Sequence, residues 1–541
     1  MAVLENAKRN LQNKKTQNQI IVLLLMLILL LAATLRFTGI NWDDYTHIHP
    51  DERFLTELTS SISAPESFSH YLKTSESPLN VYNLRDVFYV YGNFPMTATF
   101  FVARALEPLR LVICPDGALG PFCQYDLRSY DGVHIIGRML SALLDTFTVL
   151  LTFLIGARIY NRRVGLLGAF FMATAAMAIQ QSHFYTSDNW SVFFITLSIY
   201  SAVLIAENGR RWLNWGLFGI ALGLATASRV NVVIMAVVSV VAAIVWLIRY
   251  YRSHSMDDQS DSLGFWRWLV SSASIRSRIV LISGLLLAGL ATFATFRVAM
   301  PYAFADSAIA QQKGYEPNTL GHKAQVLAGF NPTWTADIEE ILRLHASDSN
   351  FPPVLQWMGR PDLIHPFINI AIWGMGPIAG FLAFAGFGLA LWRLLNGREN
   401  WLSHLIPVSA IGVYFLYTGT AFTKIMRYFL PIYPLLALMA GWFMITLWEE
   451  LEVGSRLKGT LGRLRVLGSS GLPAAERLQM LAIELLRPTF VIVSVAAVLG
   501  SLIWSTAFTR IYLRPITRVQ ATEWAFDNIP SAATLVLDAN A

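Results

Sequence analysis

Two adjacent carboxylates follow the first membrane-length apolar segment of the chain. That segment spans residues 20–40, and the motif His49-Pro50-Asp51-Glu52 lies nine residues beyond it. Carboxylates in the first turn of a helix opened by Pro50 favour the helix dipole, which is one explanation for the pair. The other is chemical: a general base beside a second acid that orients the base or binds substrate. The motif alone leaves both explanations open, and Asp51 and Glu52 are kept as catalytic candidates.

A second acidic candidate, Asp188, lies at the start of the fourth apolar segment. Aspartate is a preferred N-cap residue, so capping is the structural alternative. The alternation of charged loops along the chain predicts that Asp188 and Asp51 lie on the same membrane face. We therefore group Asp188 with the catalytic candidates.

Five basic residues lie near that same predicted face, against the charge bias of the other loops. Snorkelling of their side chains to the headgroups is one explanation. Because intramembrane cations are costly and arginine matches phosphate geometry, we predict a shared anionic ligand, best a lipid phosphate. The five are Arg138, Arg229, Arg297, Lys424 and Arg427. Asp145, on the same helical face as Arg138, is expected to neutralise a cation inside the bundle.

Other chemistries find weaker support or none. His47 and His49 with Asp51 could gather around a divalent ion, but a His-x-His loop is common, and no dedicated metal ligand is predicted. Metalloprotease, P-loop, dinucleotide and nucleophile-elbow motifs are absent from the sequence, as is any nucleic-acid-binding pattern. Cys114 and Cys123 flank a Gly- and Pro-rich turn and form a disulfide candidate, with two free thiols as the alternative.

The composition predicts that membrane helices position these residues. Of 541 residues, 55% are hydrophobic and 14% are charged, whereas soluble domains carry about 25% charged residues. A mean hydropathy of +0.48 and a net charge of +6 fit an all-α polytopic membrane protein. About eleven apolar segments are long enough to span: 20–40, 132–157, 164–181, 189–206, 213–228, 230–249, 279–300, 367–391, 401–421, 428–448 and 489–509.

Every second loop is basic, which orients the chain. The positive-inside rule predicts a cytoplasmic N-terminus at 1–18 and a transmembrane domain at 19–509. Two long outer loops follow, of which the first should contain helices lying in the interface. The predicted outer loops are 41–131 and 301–366, the cytoplasmic amphipathic segment is 449–487, and the outer tail is 510–541. The tail reads as a helix at 517–528 and a strand at 533–537, which either pairs with the outer loops or begins a further soluble domain.

The layout resembles the GT-C superfamily of integral-membrane glycosyltransferases, nearest to bacterial relatives of protein O-mannosyltransferases and aminoarabinose transferases. The resemblance covers nearly the whole chain. The residues that carry it are His49-Pro50-Asp51-Glu52, Gly137-Arg138-Met139-Leu140-Ser141, Ser182-His183-Phe184 with Asp188, and Arg427-Tyr428-Phe429-Leu430-Pro431-Ile432-Tyr433-Pro434. Arg229 stands where the family often has lysine.

The resemblance implies an inverting transferase in the plasma (inner) membrane. The sugar would move from a polyprenyl-phosphate donor to a hydroxyl of a protein, lipid or glycan acceptor at the outer face. Asp51 would be the base, Glu52 and Asp188 would position substrates, and Arg138, Arg229 and Arg427 would hold the departing lipid phosphate. His49, His183 and Tyr428, which belong to the quoted motifs, complete the expected substrate-binding set.

A polytopic transporter of a lipid-linked or anionic substrate is the alternative from another class. Transporters concentrate coupling residues near the midplane of repeated halves. Here the ionisable residues crowd at one predicted face, and no internal repeat is visible. Consumption of a lipid-linked sugar donor separates the two functions.

Overall fold

The computed structural model describes residues 2–114, 120–254, 262–398, 400–465 and 474–534. Within these ranges the regular secondary structure is helical, apart from one isolated antiparallel bridge between Phe304 and Phe330. The α-helices are α1 Ala2–Phe37, α2 Pro50–Ser61, α3 Phe68–Leu72, α4 Asn93–Ile113, α5 Tyr130–Ile159, α6 Arg162–Ala173, α7 Ala176–Ser182, α8 Asp188–Glu207, α9 Trp212–Ser228, α10 Val237–His254, α11 Ser262–Val270, α12 Ile275–Ala299, α13 Ser307–Gln312, α14 Leu320–Ala328, α15 Pro332–Leu344, α16 Pro352–Leu355, α17 Ile364–Asn369, α18 Pro377–Leu395, α19 Trp401–Gly419, α20 Tyr433–Arg465, α21 Ala474–Thr509 and α22 Thr517–Asn528. Short 3₁₀ segments include Val230–Ala236 before α10 and Met426–Ile432 before α20, and a π-helical turn, Ile370–Gly374, precedes α18.

In the described part of the chain, nine helical segments are long and apolar enough to cross a bilayer. They are Lys15–Phe37, Tyr130–Ile159, Asp188–Glu207, Val230–His254, Ser272–Ala299, Pro377–Leu395, Trp401–Gly419, Met426–Leu451 and Pro488–Asn528. Helices α6 and α7 together make a tenth candidate. The prediction of an all-α polytopic membrane protein is confirmed. The count of eleven, which includes the 17-residue helix α9, stays a prediction.

Burial separates the central helices from those at the periphery. Most of the apolar stretch in Met426–Leu451 is buried by neighbouring helices, as is that of Asp188–Glu207. The apolar stretches in Ser272–Ala299 and Pro488–Asn528 are mostly exposed, which is what helices facing lipid require. Helices α5, α8 and α20 are thus buried in the bundle, where they can position polar side chains.

The α6–α7 unit is bent by 58° where the backbone breaks between Ala173 and Ala176. A break inside a membrane leaves carbonyl groups without helical partners, and each such group must find a donor. Arg36, at the end of α1, donates to the carbonyls of Met172 at 3.1 Å and Ala173 at 2.9 Å. Its Nε lies 2.6 Å from Asp145 on α5, so the bundle-neutralising role expected for Asp145 is present, with Arg36 as the partner.

The described parts of the segment 41–131, residues 41–114 and 120–131, are folded and pack on the bundle. Helix α2 begins with Pro50, and the His49 ring accepts a hydrogen bond from the Glu52 amide at 3.2 Å, so the predicted helix start is present. Leu55 and Leu58 of α2 are buried in a cluster with Tyr89 and Met96. This packing holds α2, with the carboxylates of its first turn, against α4 and α5.

Three further predictions concern the loops and the tail. Cys114 and Cys123 form a disulfide. The segment 449–487 is helical where it is described, because α20 runs to Arg465 and α21 starts at Ala474. The predicted tail helix is α22, Thr517–Asn528. The strand predicted at 533–537 falls mostly outside the described residues.

Candidate active site

Asp51 and Arg427 form an ion pair at the surface of the bundle. Asp51 is the second residue of α2, and Arg427 belongs to the 3₁₀ segment that leads into α20. Oδ2 of Asp51 lies 2.5 Å from Nη2 of Arg427, and the Tyr91 hydroxyl also donates to Asp51. The Asp51 and Arg427 side chains are 22% and 20% exposed, so solvent and a ligand can reach both.

A second ion pair lies beside the first. Arg229 ends α9 and pairs with Asp188, the first residue of α8. The Arg229 guanidinium lies 4.1 Å from the centre of the Tyr428 ring, and that of Arg427 lies 5.9 Å from the same ring. Tyr428 therefore joins the pairs into one group, which we call the acid–arginine cluster: Asp51, Asp188, Arg229, Arg427 and Tyr428.

The two arginines of the cluster can bind an anionic ligand, although each is paired with an aspartate. Arg427 interacts with the charge of Asp188 as well as that of Asp51. Its Nε is buried and has no hydrogen-bond partner among the described residues. Two arginines and two aspartates balance in charge, so an incoming phosphate must compete with the carboxylates for the guanidinium groups.

Asp51 keeps its charge despite its partial burial. Burial alone would raise the pKa of Asp51, but the Arg427 charge and the hydrogen bonds from Arg427 and Tyr91 outweigh it, so the pKa lies below the usual 3.8. His49, on the same turn, is neutral because burial lowers its pKa. The carboxylate is therefore ionised at neutral pH, as a proton acceptor must be.

Arg138 and Glu52 are placed differently from the roles expected of them. Arg138 has five N–H donors, and all five are engaged. They contact both oxygens of Glu52 at 2.7 Å, both oxygens of Asp43 at 2.9 Å and the Ile40 carbonyl at 3.0 Å. Arg138, Asp43 and Glu52 are fully buried. This arrangement leaves no donor of Arg138 for a lipid phosphate and supports a positioning role instead.

Glu52 connects that buried group to the cluster. Its Oε1 also accepts a hydrogen bond from the Tyr185 amide at 2.9 Å, three residues before Asp188. Only glycine fits at position 137, next to Arg138, because a Cβ there would overlap the Tyr185 ring. The buried Arg138 group therefore fixes α2, α5 and the start of α8 relative to each other, and with them the two aspartates.

Three other predicted ligand residues make contacts away from the cluster. Both ring nitrogens of His183 face backbone carbonyls, of Thr38 at 2.8 Å and Ile179 at 2.7 Å, and the ring stacks on Tyr512. Arg297 lies over the Phe304 ring and donates to the Val326 carbonyl. Lys424 pairs with Asp362 at 2.8 Å. Arg297 and Lys424 share a positive charge and a predicted membrane depth with the cluster arginines, but the backbone directs them to different neighbours.

The histidines and Asp51 of the first loop do not converge on a metal position. His47 Nε2 lies 3.2 Å from Asp131, His49 caps α2, and Asp51 pairs with Arg427. Among the described residues, no three His, Cys, Asp or Glu side chains are arranged to hold a metal ion. The divalent-ion arrangement considered for His47, His49 and Asp51 does not fit this geometry.

Sequence reasoning missed two residues of the site. Asp43 is the second carboxylate on Arg138, and the cost of an unpaired buried cation was the signal for it. The other is Tyr91, whose hydroxyl donates to Asp51. Its position two residues after Tyr89 in an aromatic run gave no indication of that contact.

One family model matches part of the chain. The model for dolichyl-phosphate-mannose-protein mannosyltransferases matches residues 132–257. This range includes Arg138, Asp188 and Arg229, whereas Asp51 and Arg427 lie outside it. No curated protein matches the chain.

Solved structures of three membrane enzymes are similar to this chain at low identity. The Archaeoglobus fulgidus oligosaccharyltransferase, in the apo form, has 13% identity and a TM-score of 0.48, with 94% of this chain and 58% of that chain covered. ArnT from Cupriavidus metallidurans, bound to undecaprenyl phosphate, has 14% identity and a TM-score of 0.45, with 92% and 77% covered. The S. cerevisiae Pmt1–Pmt2 complex, bound to the sugar donor, has 14% identity and a TM-score of 0.34, with 56% and 37% covered.

The chain thus spans less than two thirds of the archaeal enzyme it matches. The family match covers residues 132–257. Within that range, Arg138 lies on α5 and Asp188 is the first residue of α8. The chain is a polytopic membrane protein whose residues 132–257 are similar to dolichyl-phosphate-mannose-protein mannosyltransferases.

Proposed function

We propose that this protein transfers a sugar from a polyprenyl-phosphate-linked donor to a hydroxyl acceptor on a protein, lipid or glycan. The observation that carries the proposal is the acid–arginine cluster. It combines an ionised carboxylate that a ligand can reach with two arginines suited to a phosphate. The mannosyltransferase family match over residues 132–257 supports the same class of reaction.

The reaction we propose is a single displacement. Asp51 accepts the proton of the acceptor hydroxyl as its oxygen attacks the anomeric carbon. The bond from that carbon to the phosphate oxygen breaks, and the lipid phosphate leaves with the electron pair. Arg427 and Arg229 stabilise its negative charge, so that no acid need protonate it. One displacement inverts the anomeric centre, and a double displacement would need a second, nucleophilic carboxylate.

The ion pairs of the ligand-free protein give the donor a further role. Arg427 is bound to Asp51, and Arg229 to Asp188, when no phosphate is present. A donor phosphate that draws Arg427 toward itself weakens the Asp51–Arg427 contact, which raises the basicity of Asp51. Donor binding would thereby prepare the base before the acceptor reacts. Asp188 would hold Arg229 in place for the same phosphate.

We place the cluster at the outer face of the plasma (inner) membrane, with a cytoplasmic N-terminus, on the alternation of basic loops. The test is donor consumption in proteoliposomes that contain the purified protein, a polyprenyl-phosphate sugar and a pool of hydroxyl acceptors. The proposal expects release of polyprenyl phosphate in step with labelled acceptor. Movement of label across the membrane with the donor intact would instead identify a transporter.

A further inference from the structure

A polar cavity lies at the end of the bundle remote from Asp51. It has a volume of about 570 Å³ and lies between the C-terminal part of α5, the start of α19 and the part of α20 near Glu449. At a rise of 1.5 Å per residue, the part of α20 from Tyr433 to Glu449 is about 24 Å long, and the 3₁₀ segment that carries Arg427 precedes it. That length approaches the roughly 30 Å of the hydrocarbon core, so we place the cavity near the opposite membrane face.

The cavity wall combines aromatic rings with a buried histidine. Tyr160 and Trp442 stack with ring centres 5.7 Å apart, and His404 lies edge-on to Trp442 at 4.6 Å. His404 is 2% exposed, and its Nδ1 lies 2.9 Å from the Tyr160 hydroxyl. When the hydroxyl donates its proton to Nδ1, the neutral ring carries its own proton on Nε2. That Nε2 is buried and has no hydrogen-bond partner among the described residues.

Opposite charges line the cavity rim. Arg393 lies over Trp442 at 5.3 Å and pairs with Glu450 at 2.6 Å. Glu449 also lines the cavity, and within the described residues it forms no ion pair. A ligand with one anionic and one cationic group would satisfy the rim, since Arg393 and His404 Nε2 are donors and the glutamates are acceptors.

Part of the cavity wall is apolar. Ile159, Val164 and Ile445 share the cavity wall, and the neighbouring Trp392 is 48% exposed at the same end of α18. Exposed tryptophan is typical of the membrane–water interface. The cavity therefore meets both headgroups and acyl chains.

We propose that this cavity binds the zwitterionic headgroup of an ammonium-bearing phospholipid. The phosphate lies against Arg393 and His404 Nε2, and the primary ammonium lies against Glu449. The acyl chains follow the apolar wall into the leaflet. The site is independent of the proposed transferase chemistry, because none of its residues belongs to the acid–arginine cluster.

The experiment is lipid binding by the full-length purified protein in nanodiscs, measured by native mass spectrometry. The lipids are phosphatidylethanolamine, phosphatidylcholine and phosphatidylglycerol with matched acyl chains. Phosphatidylethanolamine is expected to be retained at least tenfold better than the others. Glu449→Gln should abolish that preference, and Glu66→Gln, an exposed control far from the cavity, should keep it.

Two results would overturn the proposal. One is equal retention of the three lipids by the wild-type protein, and the other is an unchanged preference in Glu449→Gln. A further measurement tests the binding of soluble phosphoethanolamine. If the protein binds phosphoethanolamine but retains the three lipids equally, the ligand is a soluble molecule and the lipid proposal is rejected. Donor cleavage at the other face and a monodisperse elution profile show that each variant is folded, so failure here is distinguishable from failure of the transferase proposal.

Discussion

Arg427 donates a 2.5 Å hydrogen bond to Oδ2 of Asp51, which ties the first turn of α2 to the segment that leads into α20. The contact joins the two motifs of the chain that lie outside the family match. It sets the charge state of the proposed base and holds a phosphate-binding side chain at the same point. Most of the predictions below follow from this contact and from the buried group that positions it.

Replacement of Arg427 should move the acidic limb of the pH–rate profile. Burial raises the pKa of Asp51 and Arg427 lowers it, so removal of the arginine leaves the effect of burial and raises the pKa. Wild-type kcat/KM, which reports the ionisation of the free enzyme, should stay level as the pH falls from 7 to 5, because the pKa of Asp51 lies below its usual 3.8. In Arg427→Ala, kcat/KM should fall within that range, with a shift of about one unit or more.

Arg427→Lys is the matched control for the pH prediction. It keeps a positive charge beside Asp51 and should retain most of the wild-type acidic limb, although it loses the planar guanidinium. Coincident limbs for Arg427→Ala and wild type would show that Arg427 does not control the ionisation of the base.

Arg138→Met should destabilise the fold more than it changes any single step of transfer. It leaves the Asp43 and Glu52 carboxylates buried without their partner, a change that typically costs about 3–5 kcal/mol. The triple variant Asp43→Asn, Glu52→Gln, Arg138→Met removes all three charges and should recover part of the loss. The measurement is the thermal unfolding midpoint in detergent. A wild-type midpoint with weakened donor binding would restore the phosphate role first expected of Arg138.

Arg229→Ala should weaken donor binding. A charge-assisted hydrogen bond contributes about 1.5–3 kcal/mol, so the donor KM should rise by roughly tenfold to a hundredfold. Arg297→Ala is the control, because Arg297 is a cation at a similar predicted depth that contacts the second long loop instead. Equal effects of the two substitutions would indicate a general loss of positive charge, with no specific site at Arg229.

The Cys114–Cys123 bridge gives a covalent test. Alkylation of the unfolded, unreduced protein should label no thiol, and reduction should expose two, as read by intact mass. Two labelled thiols before reduction in freshly purified protein would contradict the bridge.

The sequence predicted many of the residues of the ion pairs because a membrane makes unpaired charges costly. Charges that break the loop bias must have a partner or a ligand, and this reasoning identified both members of the Asp51–Arg427 and Asp188–Arg229 pairs. The start of α2 followed from Pro50, and α22 followed from its local pattern. Each of these predictions needs only a short stretch of sequence and the position of the membrane surface.

The pairing of distant side chains was beyond that reasoning. Charge and depth are the same for a cation that faces a cavity and for one enclosed by two carboxylates, which is why Arg138 was given a phosphate role. The bend between α6 and α7 was also hidden, since the sequence there is continuously apolar and its freed carbonyls bind Arg36 from α1. Such contacts depend on how helices pack, and one sequence does not specify that.

The most direct test of the account compares Asp51→Asn with the wild-type protein in donor cleavage and donor binding. The amide cannot accept the acceptor proton, so cleavage should fall by about a hundredfold to ten-thousandfold. Donor binding should be kept or become tighter, because the carboxylate that competes with the phosphate for Arg427 is gone. Asp44→Asn, at a neighbouring exposed carboxylate, should leave both unchanged. Wild-type turnover by Asp51→Asn would contradict the assignment of Asp51 as the base and, with it, the proposed reaction.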